Sequence, residues 1–419
     1  MKTLFGIVAV GFLSVGVACG QIAASTNPVV KAVEEAVTAI QSNSIPLDVA
    51  AAKKAAVEAV VKVADPQARF LSEQDLARMK EEQRGMFYEV GLSVAISNGQ
   101  AIVKEVKKGT DAEKAGLKAG EVIDEMDKGN ISALAPSEVA ELLRGPSDET
   151  VLFKLHDGTN AAHDVKVKRD KTEASAVQSV EMLPAGIGYI RINGLYAGST
   201  ASIVPTLRGW SETNKAGVVI DLRGADGADL TAAYDVASVF ADPGAMLFAL
   251  RDATDQELEV HKAGKAKPVD MPAMVLVDER TTAAAEVLAA ALADSVRGVM
   301  LLGTATSGDP MIRDPVKLPD GGYLYIVTKR LVTADGKKYD GKEGVRPDLE
   351  VNSTVTDESQ YEPEPVPNEK QEVSKEEKEN RKLRDRVRGD PALRRAVDIL
   401  LGLKALNVRG TGQSENSEP

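Results

Sequence analysis

Groups that often carry chemistry are scarce in this sequence: one cysteine, one tryptophan and three histidines among 419 residues. The cysteine, Cys19, stands beside Gly20 at the end of an apolar leader. Cleavage after Gly20 would leave no thiol, which excludes disulfides, thiolate catalysis and thiolate metal sites from the rest of the chain. His156, His163 and His261 fall in strand-like or polar-loop stretches and compose no catalytic triad. No His/Asp/Glu cluster has metal-ligand spacing, so neither a metal nor another cofactor is expected. Basic residues are the minority charge, 51 against 63 acidic, for a net charge of -12. A phosphate backbone asks for the opposite balance, so nucleic acid is not an expected partner. Beyond the leader no stretch approaches membrane-spanning length.

What is present is a globular balance, 43% hydrophobic and 27% charged, on a chain long enough for two or three domains. Lys2, the apolar run from Leu4 to Val17 and the small residues Ala18-Cys19-Gly20 have the order of an export signal. The chain is therefore expected to be exported, periplasmic or secreted. Lipid anchoring through Cys19 stands as the alternative, although Gly16 occupies the place where a lipobox prefers leucine.

From Pro28 to Met79 the spacing is helical. Val29, Val30, Val33, Ala36 and Val37 mark one face, and Ala56, Val57, Val60, Val61 and Val63 another. Asp65-Pro66 stops the second helix and Ser72 caps a third. From Gly85 to Lys171 short strands alternate with glycine turns, with a short helix from Ala112 to Leu117 and a longer one from Ser137 to Arg144. From Gly186 to Val351 strands at Ile187–Ile192, Val218–Leu222, Ala273–Val277 and Val299–Leu302 alternate with helices near 202–213, 230–240 and 284–293. That alternation implies a largely parallel sheet covered by helices. Trp210 reads as packing within the first of these helices. Residues 354–373 read as an acidic linker, and Ser374 with Glu377 as a capping box. Asp390-Pro391 opens a last helix whose stripe of Leu393, Ala396, Val397, Leu400 and Leu401 must bury against this molecule or a second copy.

In this order of parts the chain resembles a carboxy-terminal processing (tail-specific) protease. Ala64-Asp65-Pro66 with Arg69-Phe70-Leu71-Ser72 resembles the family's segment before its PDZ domain. Gly109 to Leu117 and Leu143-Arg144-Gly145-Pro146 are similar to PDZ stretches, and Ile187–Ile192 and Ile220-Asp221-Leu222-Arg223 to core strands. Leu318 to Gly322 and Gly344 to Asp348 are similar to the closing segments. The resemblance implies an α/β multidomain protein: a crotonase-like protease core with an inserted PDZ domain and helical N- and C-terminal segments. The implied division is a signal at 1–20, helices at 27–84, PDZ at 85–171, core at 172–353, linker at 354–373, helices at 374–406 and a disordered tail at 407–419.

The family's chemistry is a Ser–Lys dyad, in which a lysine of lowered pKa takes the serine proton. The serine motif is matched here by Thr281-Thr282-Ala283-Ala284-Ala285-Glu286, which puts Ala283 at the nucleophile position. The lysine and supporting glutamine positions read Asp309 and Arg313, a pair expected to neutralise itself. The oxyanion loop reads Gly224-Ala225-Asp226-Gly227-Ala228, with Ala228 in place of a glycine expected at positive φ and Asp226 adding unwanted negative charge. Thr281 is expected to cap the helix. No catalytic residue is therefore expected: Ala283, Asp309, Arg313, Gly227 and Ala228 are degenerate positions.

The PDZ resemblance implies a groove for protein or peptide C-termini, with Val90, Gly91, Leu92 and Val94 as its binding segment and Glu89 as a charge that would repel a carboxylate pointing the same way. The function expected is that of a non-catalytic homologue that binds protein tails or regulates in the cell envelope. It would act as a homo-oligomer or by pairing with an active relative through the last helix. The competing expectation is a serine-type endopeptidase using displaced residues, for which Thr281, Thr282, Ser307 and Lys317 are the nearby candidates.

Overall fold

A computed structural model describes residues 27–352 and 375–408, apart from 44, 98, 128, 133, 135–138, 140–141, 146–148, 158–161, 214–215, 320, 340 and 342. The expected signal, Cys19, the acidic linker, the Ser374 cap and nearly all of the tail lie outside the described residues, as does most of the helix expected at 137–144. Two units divide the chain after Phe70.

The first unit holds α1 (Pro28–Ser42) and α2 (Val49–Ala64). Asn27 caps α1 by accepting the Val29 N–H at 2.9 Å, and Asp48 caps α2 by accepting from Ala50 and Ala51 at 3.0 Å. Asp65 ends α2 as the sequence indicates. Neither helix buries a residue; Val29, Val33, Val60 and Val63 of the expected stripes are exposed. A short strand, β1 (Arg69–Leu71), spans the division.

The second unit begins with α3 (Glu73–Gln83), which opens on a reciprocal capping box between Ser72 and Asp75. β2 (Met86–Glu89) pairs with β8 (Asp170–Glu173). Between them lies a five-stranded antiparallel sheet: β3 (Leu92–Ser97), β4 (Gln100–Val106), β5 (Val122–Met126), β6 (Thr150–His156) and β7 (His163–Lys168), in that spatial order. Alternate residues of β6, Val151, Phe153 and Leu155, are fully buried, the period-two signature of a sheet covered on one face. A four-residue helix, α4 (Asp111–Lys114), stands where a longer one is expected.

The larger sheet has the order β20 (Leu349–Glu350), β17 (Val299–Gly303), β16 (Ala273–Val277), β12 (Gly217–Asp221), β10 (Ile187–Ile192) and β9 (Val177–Leu183). All neighbours run parallel except β9, which is antiparallel to β10. Every residue of β12 and β16 is buried, because both faces are covered. Val218, Ile220, Val275 and Val277 face α5 (Thr200–Glu212), α6 (Leu230–Ser238) and α7 (Ala283–Ser295). Val219, Met274 and Leu276 face α9 (Pro391–Ala405), which follows α8 (Lys375–Gly389). Leu393, Ala396, Val397 and Leu400 are thus buried on the molecule's own sheet, while Leu401 stays exposed. The stripe has no need of a second copy, and pairing with a relative through it loses its basis. Each buried leucine there contributes about 1.5–3 kcal/mol. Trp210 lies partly buried against this core, as expected.

A third sheet has no counterpart in the sequence reading: β18 (Ile312–Lys317), β19 (Tyr323–Thr333), β14 (Met246–Arg251) and β15 (Glu257–Lys262) pair antiparallel. β15 interleaves charges with apolar residues, as in Glu257-Leu258-Glu259-Val260, all four exposed, so it reads as polar loop. His261 accordingly lies in a strand, stacked on Phe248 with ring centroids 4.5 Å apart, and not in a loop.

Candidate functional site

The cleft is built where β12 and β16 end side by side. Past β16 the chain turns through Asp278 to Thr282 into α7, and past β12 through Leu222 to Gly227. Hydrogen bonds join the two turns. The Asp278 carboxylate accepts the Gly224 N–H at 2.8 Å, and Thr282 N–H donates to the Ala225 carbonyl at 3.0 Å. Thr281 is fully buried; its hydroxyl donates to the Leu222 carbonyl at 2.8 Å and accepts the Asp278 N–H at 3.1 Å. It is a strut between the turns and does not cap the helix. Thr282 holds the cap position, without a side-chain cap hydrogen bond.

Ala283 follows with φ +51°, left-handed backbone that a residue with a Cβ enters at a cost of about 1–2 kcal/mol. The sequence marked Ala283 by register alone; the structure makes it the strained first residue of α7. Three positions on, Glu286 is completely buried. Its carboxylate accepts from the Thr306 hydroxyl, the Ser307 hydroxyl at 3.0 Å, and the Gly308 and Asp309 N–H groups at 2.8 and 3.0 Å. Burial pushes its pKa up, against those donors. Glu286 thereby pins the 306–309 turn over the first turn of α7. The sequence reading used it only to fix register. A glutamate within an otherwise apolar helix was the available signal of a buried anchor.

That pinned turn carries Asp309, whose two oxygens take the Arg313 guanidinium at 2.8 and 3.1 Å. Both side chains are nearly buried, at 13% and 10% exposure. The expected self-neutralising pair is in place. Gly227 has φ +105°, and a Cβ there would fall on the Leu195 backbone. Ala228 is exposed and keeps ordinary backbone, so the strain expected of it is not found; the left-handed positions of this loop are Gly224 and Gly227. Asp226 accepts the Tyr196 hydroxyl at 2.7 Å, and burial raises its pKa.

No lysine joins these side chains through a described hydrogen bond or ion pair. Lys317 lies at the far end of β18, over the Tyr323 ring. The histidines remain apart: His156 contacts Asp124 at 3.0 Å and His163 faces Glu121. Among the described residues no group of three or more His, Cys, Asp or Glu side chains could hold a metal, and no helix is long and apolar enough to cross a membrane.

In the five-stranded sheet the expected peptide segment divides. Val90 is fully buried, and its N–H donates to the Leu143 carbonyl at 3.3 Å, so it presents nothing to a ligand. Gly91 has φ +75° and packs against Thr110. Leu92 and Val94 are half-buried on β3, whose outer edge has no strand partner among the described residues. Glu89 is held by Lys107 at 2.6 Å, so its charge is balanced.

Residues 186–351 match the family model "Peptidase family S41", and residues 79–155 match "PDZ domain". The carboxy-terminal processing protease CtpA of Bacillus subtilis (strain 168) is 27% identical over 285 residues, which cover 68% of this chain and 60% of that protein. This chain thus spans somewhat less than two thirds of the relative's length. Among solved structures, the photosystem II D1 C-terminal processing protease is similar at 28% identity and a TM-score of 0.49, covering 73% of this chain and 83% of that one. The PDZ domain of the carboxy-terminal protease from Vibrio cholerae, in complex with peptide, aligns at 20% identity and a TM-score of 0.20, covering 21% of this chain and 99% of that one.

Proposed function

We propose, on the premise that residues 186–351 belong to peptidase family S41 and residues 79–155 to the PDZ family, that this chain is a non-catalytic relative of carboxy-terminal processing proteases. It binds the tails of other proteins in the cell envelope. The observation that carries the reading is Ala283, a methyl group on the strained first residue of α7, beside a lysine position occupied by the locked Asp309–Arg313 pair. A nucleophile there needs a hydroxyl at position 283 and a base beside it, and the chain has Ala283 and Asp309 in those places. Two of the displaced candidates are engaged elsewhere: the Thr281 hydroxyl is buried in its strut, and the Ser307 hydroxyl donates to Glu286.

Tail binding falls to β3. An extended peptide adds to its open edge, with its apolar side chains against Leu92 and Val94. The crotonase-like form of the core and export to the periplasm or outside belong to the same proposal, with anchoring through Cys19 as the alternative to a leader cleaved after Gly20.

The test incubates the natural protein with an unfolded protein ending in an apolar residue, beside a copy whose C-terminus is amidated. Retention of the first without cleavage, and loss of retention on amidation or in Leu92→Asp, is expected. Cleavage by the natural protein that stops in Thr282→Val or Ser307→Ala would overturn the proposal.

A further inference from the structure

One carboxylate on the C-terminal helix pair reaches the turn that frames the cleft. Asp390 caps α9, its Oδ1 accepting the Leu393 N–H at 3.0 Å. Its other oxygen, Oδ2, accepts from Arg223 Nη2 at 2.7 Å. Arg223 is 3% exposed and grips Asp221, with Nε to Oδ1 at 2.9 Å and Nη2 to Oδ2 at 2.5 Å. Asp221 is wholly buried at the end of β12 and also accepts the Tyr189 hydroxyl at 2.8 Å. Directly after Arg223 come Gly224 and Ala225, which bond to Asp278 and Thr282 ahead of Ala283.

We infer that Asp390 is a positioning residue, which through Arg223 holds the 222–226 turn against the start of α7, so that docking of the C-terminal helices sets one wall of the cleft. Capping alone needs one oxygen, and serine caps as well as aspartate. The second oxygen serves a guanidinium 167 positions earlier in the chain, at the one place where β12 leaves the sheet. A charge-assisted hydrogen bond to a nearly buried arginine is among the stronger single polar contacts. Losing it leaves the Arg223 side chain held by Asp221 alone among its described acceptors. The inference goes beyond the proposed function and stands whether or not the cleft holds a peptide.

Amide hydrogen exchange on the full chain reads it directly. Leu222, Arg223, Gly224, Ala225, Asp226 and Thr282 each donate their N–H to a named acceptor. In Asp390→Ser, which keeps the cap and removes the reach to Arg223, these amides are expected to exchange about tenfold faster or more. Leu393 and Arg394, which report the start of α9, and Val103 and Gly120 in the five-stranded sheet are expected to keep natural rates. An unchanged turn, or acceleration of all three groups together, overturns the assignment and leaves Asp390 a helix cap. Should Asp390→Ser not fold, Asp390→Asn reads the same amides with the same two outcomes.

Discussion

Around Ala283 almost every polar group has a fixed partner, whereas the five-stranded sheet ends on an edge, β3, that has no strand partner among the described residues. Glu286 gathers four donors, Asp309 is locked by Arg313, and Thr281 serves both neighbouring turns. The outer edge of β3 has no strand partner among the described residues, and the nearby Glu89–Lys107 pair is partly exposed. The polar groups of the cleft thus stabilise the fold. The open edge still has hydrogen bonds to offer a ligand. Polar residues are therefore structural in the first region and available in the second.

Substitutions that remove a fixed partner should separate the regions most sharply. Glu286→Ala is expected to cost about 3–5 kcal/mol, since it strands buried donors. Glu89→Ala should cost less than about 1 kcal/mol, as expected for a partly exposed ion pair. Urea unfolding of both variants measures the gap, and equal losses would erase the contrast. Next in size is Gly91→Ala, expected to destabilise by about 2–3 kcal/mol, because it adds left-handed strain and a clash with Thr110.

Two buried carboxyls, Glu286 on α7 and Asp221 at the end of β12, should respond to pH with opposite signs. Burial holds Glu286 above its ordinary 4.5, so its contribution is fully present below that value and is lost as the pH rises through the folded pKa. Burial alone would raise Asp221 as well, but the Arg223 guanidinium overrides it and holds the carboxyl below 3.8. Its contribution is present above 3.8 and is lost as the pH falls through the folded pKa. Denaturation midpoints across acidic pH should therefore diverge between Glu286→Gln and Asp221→Asn, each limited to about 1.4 kcal/mol per pH unit. Parallel curves would show that neither carboxyl is placed as described. The smallest effect is Ala283→Gly, which relieves left-handed strain and should stabilise by about 0.5–1 kcal/mol. A loss in thermal scans would mean that Ala283 carries no strain, and the two left-handed positions would then differ in size of effect and not in sign.

Much of this architecture was legible because burial on two faces writes continuous apolar runs. Ala273–Val277 is a strand in sequence and structure for that reason, and caps such as Ser72 and Asp390 stand where helices begin. In the antiparallel sheet of β14, β15, β18 and β19, the strands β15 and β18 were not legible, since they mix charges with apolar residues and lack a clean period, whereas the apolar run of β14 was simply not read as a strand. Of the site, the identities of Ala283, Asp309 and Arg313 came from register alone. Glu286 as anchor, Thr281 as strut and the enclosure of Val90 did not, because each depends on a partner brought close only by folding.

By itself the sequence determined which side chains are absent: no serine at position 283, no lysine at 309, and no thiol beyond Cys19. An absent group cannot be restored by folding, so composition and register suffice for that conclusion. Tertiary structure decided what the remaining groups do, namely which carboxylates are locked, which stripe is covered and which sheet edge stays open. Those outcomes depend on distance and desolvation between residues far apart in the chain, such as Arg223 and Asp390, and a linear pattern does not encode them.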